Sequence, residues 1–239
     1  MADDIPLARR SHSLGSEKAS PLRPGLFWLS LLLIALSAAA LATLLGPLRS
    51  RVAPPVPGLQ AQLSDDGRLL GHFPYPEAPL SQLVMVAPGM ELRAEAAKSF
   101  LAMKQAAEAE GVSLSLLSAF RSKDEQQQLF FAVKAERNQT ALDRAKVSAP
   151  PGFSEHSTGY AVDIGDARQP QTNLSNDFMQ TNAYRWLVDN AARYQFVLSF
   201  PQGNPQGVSF EPWHWRYEGS TDALRLFEPA QRLSRSSKP

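Results

Sequence analysis

Two short segments of this chain restrict its fold most strongly, because together they can supply the ligands of one metal site, although each segment alone is more typical of a solvated surface or of packing. Residues 154–163 place His156 and Asp163 on either side of Gly159. The segment Glu211-Pro-Trp-His214 adds a second imidazole and a spare carboxylate. Hydrolytic zinc sites use three protein ligands and keep one coordination position open. A fold that assembles such a site must bring both segments to one point.

The predicted zinc ligands are His156, Asp163 and His214, and Glu211 is the predicted general base. The base must lie near the metal without occupying its open position. Along an extended chain, His156 and Asp163 would be separated by more than about 20 Å. A turn at Gly159 is therefore needed to bring His156 back beside Asp163.

Pro212 determines whether Glu211 and His214 can face the same metal. Residues three apart on a regular strand point to opposite sides of the sheet. Pro212 donates no ladder hydrogen bond and restricts the backbone of Glu211, so it predicts an irregular strand at this point. We expect the regular strand to begin near Trp213, with His214 and Arg216 on one face.

The composition excludes several classes of site. The chain has 239 residues, of which 44% are hydrophobic and 20% are charged, and this suits one globular domain with attachments. Its formal net charge of +1 gives no electrostatic reason to expect nucleic-acid binding. Cysteine is absent, which excludes a cysteine-ligated metal, a thiol nucleophile and a disulfide framework.

Residues 26–45 form an apolar run of 20 residues without a charge, long enough to span a bilayer as a helix. A cleavable signal peptide is an alternative, because residues 38–40 offer a small-residue cleavage site. A buried core helix is disfavoured, because the run is apolar on all sides. The basic residues before the run predict a cytoplasmic N-terminus and an external domain; they are Arg9, Arg10, Lys18 and Arg23.

Helical and strand patterns alternate after residue 90. Amphipathic or Ala-rich stretches predict helices over residues 91–110, 123–137 and 183–194. Alternating or short apolar runs predict strands over residues 112–118, 160–164, 196–200 and 208–217. We expect an α+β fold, with a small central antiparallel sheet flanked by helices and an N-terminal transmembrane helix.

Three motifs resemble the VanY-type zinc D-alanyl-D-alanine carboxypeptidases, which are related to D-Ala-D-Ala dipeptidases and phage endolysins. The first two are Ser-x-His-x-x-Gly-x-Ala-x-Asp, at residues 154–163, and Glu-x-Trp-His, at residues 211–214. The third is Ser118-Ala-Phe-Arg121-Ser122, followed by Gln126 and Leu129-Phe130. The resemblance covers about residues 80–220, and the motifs keep the family's order and spacing.

The resemblance implies roles for individual residues. Arg121 would bind substrate or stabilise an oxyanion, for which its planar guanidinium is suited; a structural ion pair is the alternative. Ser154 and Gln126 would contact the substrate, and Trp213 is a further candidate contact unless it only packs. The implied reaction is zinc-dependent removal of the terminal D-alanine from peptidoglycan stem peptides ending in D-Ala-D-Ala.

The chain is expected to divide into five parts. They are a disordered cytoplasmic tail (1–25), a transmembrane anchor (26–45), a Pro-rich linker and N-terminal extension (46–79), a zinc peptidase domain (80–220) and a C-terminal helix or tail (221–239). His72, within the extension, is interpreted as a packing or surface residue rather than a ligand. The catalytic domain would then lie outside the cytoplasmic membrane, in the periplasm or on the cell-wall side.

Other activities remain compatible with the same site. A peptidoglycan endopeptidase or an L,D-carboxypeptidase would use the same zinc ligands on a different bond of the stem. The segment 165–181, rich in Gln, Asn and Asp, is a candidate wall of the cleft that would select between these bonds. A noncatalytic cell-wall-binding or signalling module is a more distant alternative, and Glu211 argues against it because such a module needs no base.

Overall fold

The computed structural model describes residues 63–236. The expected tail (1–25), the apolar run 26–45, residues 46–62 of the expected linker and extension, and residues 237–239 lie outside the described residues. Within residues 63–236, no helix is long and apolar enough to cross a membrane. This part of the chain has an α+β fold with a small antiparallel sheet and flanking helices, as the sequence predicted.

A two-stranded hairpin comes first in the described chain. Strand β1 (Leu83–Ala87) pairs antiparallel with β2 (Met90–Arg93). Gly89, with a φ of +71°, allows the tight turn between them. The helix predicted over residues 91–110 is therefore wrong at its start, because residues 91–93 pair with β1. The Ala-rich composition indicated the helix but not the strand that pairs with the residues before it.

The main sheet has four strands in the order β3-β4-β6-β5, and all neighbouring pairs are antiparallel. The strands are β3 (Leu114–Ser118), β4 (Ala161–Asp166), β5 (Phe196–Leu198) and β6 (His214–Tyr217). Every residue of β4 and of β6 is buried. Polar side chains on these two strands are therefore shielded from solvent and need partners inside the protein.

Five α-helices surround the two sheets in the described region. They are α1 (Ala94–Ala109), α2 (Lys123–Glu136), α3 (Ala141–Ala145), α4 (Asn182–Asn190) and α5 (Thr221–Ser236). The helix predicted over residues 183–194 is divided, because α4 gives way to a 3-10 turn at Ala191–Tyr194. A capping box starts α2: Ser122 Oγ accepts from Glu125 N at 3.1 Å, and Glu125 Oε2 accepts from Ser122 N at 2.8 Å.

One apolar core joins the main sheet to the helices. Phe100 of α1, Leu187 of α4 and Phe227 of α5 are fully buried in it. Burial of a side chain of this size stabilises the fold by about 1.5–3 kcal/mol. Phe73 and Tyr75 belong to the same core, so the packed structure includes residues upstream of position 80.

Candidate active site

A single turn of 3-10 helix, Glu155–Thr158, carries His156 into the site. Gly159 ends this turn with a φ of +71°, a left-handed conformation that costs other residues about 1–2 kcal/mol. A Cβ atom at this position would lie 2.9 Å from Leu83 Cδ2 and 3.1 Å from Arg93 Cγ. Glycine is thus required by the backbone and by the packing, and the predicted turn is confirmed.

His156, Asp163 and His214 meet at the centre of the sheet. Asp163 on β4 lies directly opposite His214 on β6, and opposite residues of an antiparallel pair point to the same face. Asp163 Oδ1 is 3.0 Å from His214 Nδ1, and Asp163 Oδ2 is 3.2 Å from His156 Nε2. The three side chains are buried, and their candidate ligand atoms lie within 4.8 Å of one another.

These donors fit a zinc ion in number, type and spacing. Tetrahedral ligands at about 2.0–2.2 Å from zinc lie about 3.4 Å from one another. His156 Nδ1 donates to the backbone oxygen of Ala119 at 2.7 Å, which leaves Nε2 free to bind metal. Burial lowers the pKa of His156 although Asp163 opposes the shift, so the neutral, ligating form is favoured.

His214 is held by Glu155, a carboxylate that the sequence analysis did not identify. His214 Nε2 is 3.0 Å from Glu155 Oε2, so Nδ1 is the nitrogen left to face the metal position. Glu155 also accepts from Arg216 Nη1 at 2.9 Å and from Ser199 Oγ at 2.6 Å. Because His214 and Arg216 both reach Glu155, they share one face of β6, as predicted.

The charge state of Glu155 follows from these contacts. Burial alone would raise its pKa, but Arg216 and His214 outweigh burial and lower the pKa to about 2. Burial likewise opposes the charged form of His214, but hydrogen bonds to Asp163 and Glu155 raise its pKa to about 10. His214 therefore lies between two carboxylates, with Nε2 held by Glu155 and Nδ1 facing Asp163 at the candidate metal position.

Glu211 approaches the metal group through a turn rather than along a strand. β6 begins at His214, and His214 N donates to the backbone oxygen of Glu211 at 3.1 Å across Pro212. The strand pattern over residues 208–217 is thus realised only over its last four residues, and the regular strand begins one residue after Trp213, which confirms the irregularity predicted from Pro212. The turn brings Glu211 Oε2 to 4.0 Å from His214 Nδ1. Burial raises the pKa of Glu211 to about 8, a value suited to proton transfer near neutrality.

Arg121 faces the same cavity and is held by uncharged partners. Its Nη1 donates to Gln126 Oε1 and its Nη2 donates to Ser118 Oγ, both at 2.8 Å. Gln126 Nε2 donates in turn to the backbone oxygen of Ala149 at 2.6 Å. Within residues 63–236, Arg121 forms no ion pair. The alternative that Arg121 serves only as one partner of a structural ion pair is therefore not supported.

All the predicted site residues line one cavity of about 460 Å³. They are Arg121, Gln126, Ser154, His156, Asp163, Glu211, Trp213 and His214. Leu174, from the candidate wall segment, lines it as well. His72 is buried at its edge and donates Nε2–H to the backbone oxygen of Ala145 at 2.7 Å, which makes it a packing residue. Arg144 also lines the cavity, although no sequence motif marks it.

Comparison with known proteins gives a family for the chain. The sequence profile described as VanY, D-alanyl-D-alanine carboxypeptidase, matches residues 89–220. YodJ of Bacillus subtilis (strain 168), described as a putative carboxypeptidase, is 37% identical over 139 residues, which are 55% of this chain and 48% of YodJ. A D-alanyl-D-alanine carboxypeptidase of Enterococcus faecalis is 33% identical over 131 residues, which are 51% of this chain and 46% of that enzyme. The chain thus spans about half the length of these curated relatives.

Two solved structures share the fold. The LdcB LD-carboxypeptidase is 30% identical, with a TM-score of 0.55, over 69% of this chain and 80% of that chain. A vancomycin-resistance D,D-pentapeptidase VanY, solved in complex with Zn(II), is 27% identical, with a TM-score of 0.50, over 65% of this chain and 89% of that chain. The profile match covers more than half of the chain and contains every predicted site residue. The chain therefore belongs to the VanY D-alanyl-D-alanine carboxypeptidase family.

Proposed function

We propose that this chain is a zinc-dependent D,D-carboxypeptidase that removes the terminal D-alanine from peptidoglycan stem peptides ending in D-Ala-D-Ala. The observation that carries the proposal is the buried group of His156, Asp163 and His214, with Glu211 beside it. Membership of the VanY family supports the substrate class, and the VanY structure with Zn(II) supports the metal. A noncatalytic module would have no use for a buried carboxyl group in this position.

Glu211 is the proposed general base and acid. A zinc ion held by His156, Asp163 and His214 would supply Lewis acidity toward the scissile carbonyl and toward water. Glu211 takes the proton of the attacking water and passes it to the leaving amine. Its burial limits its contact with bulk water and raises its pKa above that of an exposed glutamate.

Arg121 is the proposed electrophilic partner. Its guanidinium is always protonated and offers a rigid set of donors to a carboxylate or to a developing oxyanion. Gln126 and Ser118 each take one donor and thereby fix its orientation toward the cavity. Fixed donors need no reorganisation when negative charge develops, which is why such groups lower activation barriers. Ser154, Gln126 and Trp213 remain the proposed substrate contacts, because all three line the cavity.

The second candidate function is L,D-carboxypeptidase activity on the same site. The similarity to the LdcB LD-carboxypeptidase, at 30% identity and a TM-score of 0.55, favours it. Both reactions would use the same metal group and the same base. They differ in which peptide end the cavity walls admit, so the choice between them is a choice of substrate rather than of chemistry.

We also propose that residues 26–45 anchor the chain and hold the domain outside the cytoplasmic membrane. The support is an apolar run of 20 residues preceded by four basic residues. An enzyme reporter that works only outside the cytoplasm, fused after Pro239, should be active in cells. Activity only from a cytoplasm-specific reporter would contradict the orientation, and a mature chain starting near residue 41 would indicate a cleaved signal peptide instead.

Mass spectrometry of defined peptides tests the activity. The purified, zinc-loaded chain is incubated with a stem pentapeptide ending in D-Ala-D-Ala and with the tetrapeptide that ends in one D-alanine. Loss of one alanine from the pentapeptide alone is the expected result. Loss of alanine from the tetrapeptide would indicate the L,D-carboxypeptidase, and cleavage inside the stem would indicate an endopeptidase. No product from either peptide would overturn the proposal.

A further inference from the structure

Arg144 is a buried cation that the proposed mechanism does not use. It lies on α3, its side chain lines the reaction cavity, and the residue is only 7% exposed. Its Nε atom is buried without a hydrogen-bond partner. Across residues 63–236, no side chain or backbone oxygen accepts a hydrogen bond from its guanidinium, and no carboxylate pairs with it.

An unpaired guanidinium in this position is costly to the folded protein. Arginine stays protonated when buried, and buried charges are normally paired or hydrogen-bonded. The surrounding charges add to the cost: burial first, then the positive charges of Arg137 and Arg121, lower the pKa of Arg144, and only Glu211 opposes them. Within the described residues, the fold thus keeps a largely buried cation whose guanidinium has no hydrogen bond and no ion pair.

The carboxylates that line the cavity contact Arg216 or the histidines of the metal group rather than Arg144. Glu155 accepts from Arg216 at 2.9 Å and also holds His214. Asp163 faces both histidines of the metal group at 3.2 and 3.0 Å. Glu211 lies 4.0 Å from His214. None of these carboxylates forms an ion pair with Arg144, so its guanidinium is open to an anion that enters the cavity.

We propose that Arg144 forms a carboxylate-binding subsite of the cleft and receives a carboxylate of the peptide substrate. The proposal rests on the proposed peptidase function and adds a recognition element to it. A guanidinium matches a carboxylate with two parallel hydrogen bonds, and a charged pair of this kind is strong where water is excluded. The carboxylate can belong to the C-terminal residue or to an acidic residue earlier in the peptide, and both supply the same chemistry.

Calorimetric binding distinguishes the two sources. The full, zinc-loaded chain carries Glu211→Gln, so that peptides bind with little turnover during the measurement. Three peptides ending in D-Ala-D-Ala are compared: one with a free upstream carboxylate, one with that carboxylate amidated, and one with the C-terminal carboxylate amidated. Adding Arg144→Gln should weaken binding by about 10- to 100-fold for peptides that bear the contacted carboxylate, and should spare the peptide that lacks it. The spared peptide identifies the carboxylate.

Two further variants keep the test decisive. Lys146→Gln removes a cation two residues away that is exposed and lies outside the cavity, so it should leave all three affinities unchanged. Arg144→Lys keeps the charge but not the planar guanidinium. It should weaken binding of the same peptides as Arg144→Gln does, by a smaller factor. If Arg144→Gln does not fold, the affinities of Arg144→Lys provide the test. Unchanged affinities, or equal losses for all three peptides, would overturn the subsite. If none of the peptides binds to the Glu211→Gln chain, the peptidase proposal fails and the subsite fails with it.

Discussion

At the residue scale, Glu155 connects the metal group to the rest of the fold. One buried carboxylate accepts from His214, Arg216 and Ser199, and thereby fixes the ring orientation of a candidate metal ligand. Glu155→Gln keeps the size of the side chain but removes its charge. We expect zinc affinity to fall by about 10- to 100-fold, measured by competition with a chromophoric chelator. Ser199→Ala removes one neutral donor and should have a smaller effect; equal affinities for Glu155→Gln and wild type would refute the role.

Glu211 can be separated from the metal group by substitution, because it is not one of the ligands. Glu211→Gln should keep one zinc per chain and lower kcat by about 10²- to 10⁴-fold, since a proton-transfer group is lost while binding groups remain. Metal analysis and the peptide cleavage rate measure the two effects together. Asp189→Asn, which alters an exposed carboxylate on α4, should match wild type in both. Cleavage by Glu211→Gln at the wild-type rate would exclude it as the base.

At this scale the sequence predicted which residues the fold brings together, but it did not predict the contacts that orient them. Residue type and spacing were enough to single out His156, Asp163 and His214 as candidates, because the chain has only four histidines and two of them lie in these motifs. Glu155 gave no such signal, since it lies in an irregular turn where no periodicity tells which side chain points inward. Arg144 was equally hidden, because its isolation is a property of the packed cavity rather than of a motif.

At the element scale, the turn at Gly159 sets the geometry on which His156 depends. Gly159→Ala would force alanine into a left-handed conformation and press its Cβ against Leu83 and Arg93. We expect a loss of about 2 kcal/mol in the free energy of unfolding, together with weaker zinc binding. Gly203→Ala is a matched control, because Gly203 has a φ of +65° but no atom lies within 4 Å of the position that an alanine Cβ would take. Gly203→Ala should lose only the free energy that alanine loses in a left-handed backbone conformation. An equal loss of stability in both variants would show that packing at Gly159 contributes nothing.

Helices and strands were predictable from the sequence where the local spacing of apolar residues agrees with the tertiary structure. The helices α1 and α2 were located within a few residues, since their apolar spacing and start and stop residues act locally. The hairpin of β1 and β2 was missed, because short strands are defined by their pairing partner and not by their own composition. The strand β6 was predicted too long, although Pro212 correctly marked the place where its regular pairing stops.

At the scale of the whole molecule, His72 makes stability depend on pH. Burial lowers its pKa to about 4, whereas the unfolded value is about 6.5. Below pH 6.5, His72 is protonated in the unfolded chain but stays neutral in the folded chain. Its contribution to the free energy of unfolding is therefore fully present above pH 6.5 and is lost as the pH falls toward 4. The loss from this one residue is about 3 kcal/mol.

The measurement is denaturant unfolding of wild type and His72→Gln at several pH values between 7.5 and 4. His72→Gln should be less stable than wild type at pH 7.5, because a packed ring is lost, but its stability should fall less steeply on acidification. The difference between the two curves isolates His72 from the other titrating groups. Parallel curves would mean that His72 is protonated in the folded protein or exposed to solvent.

Ser118, Asp163 and His214 form one row across three neighbouring strands, and Arg121 is tethered to the end of that row through Ser118. The walls of the cavity, in contrast, come from α2, α3 and the loops around Leu174 and Phe200. Two of the candidate metal ligands therefore lie on the sheet, whereas most of the cavity wall comes from helices and loops. Substitutions in the cavity walls can therefore change which peptide binds while Ser118, Asp163 and His214 stay the same. Loop grafting onto this sheet should redirect the enzyme without rebuilding its chemistry.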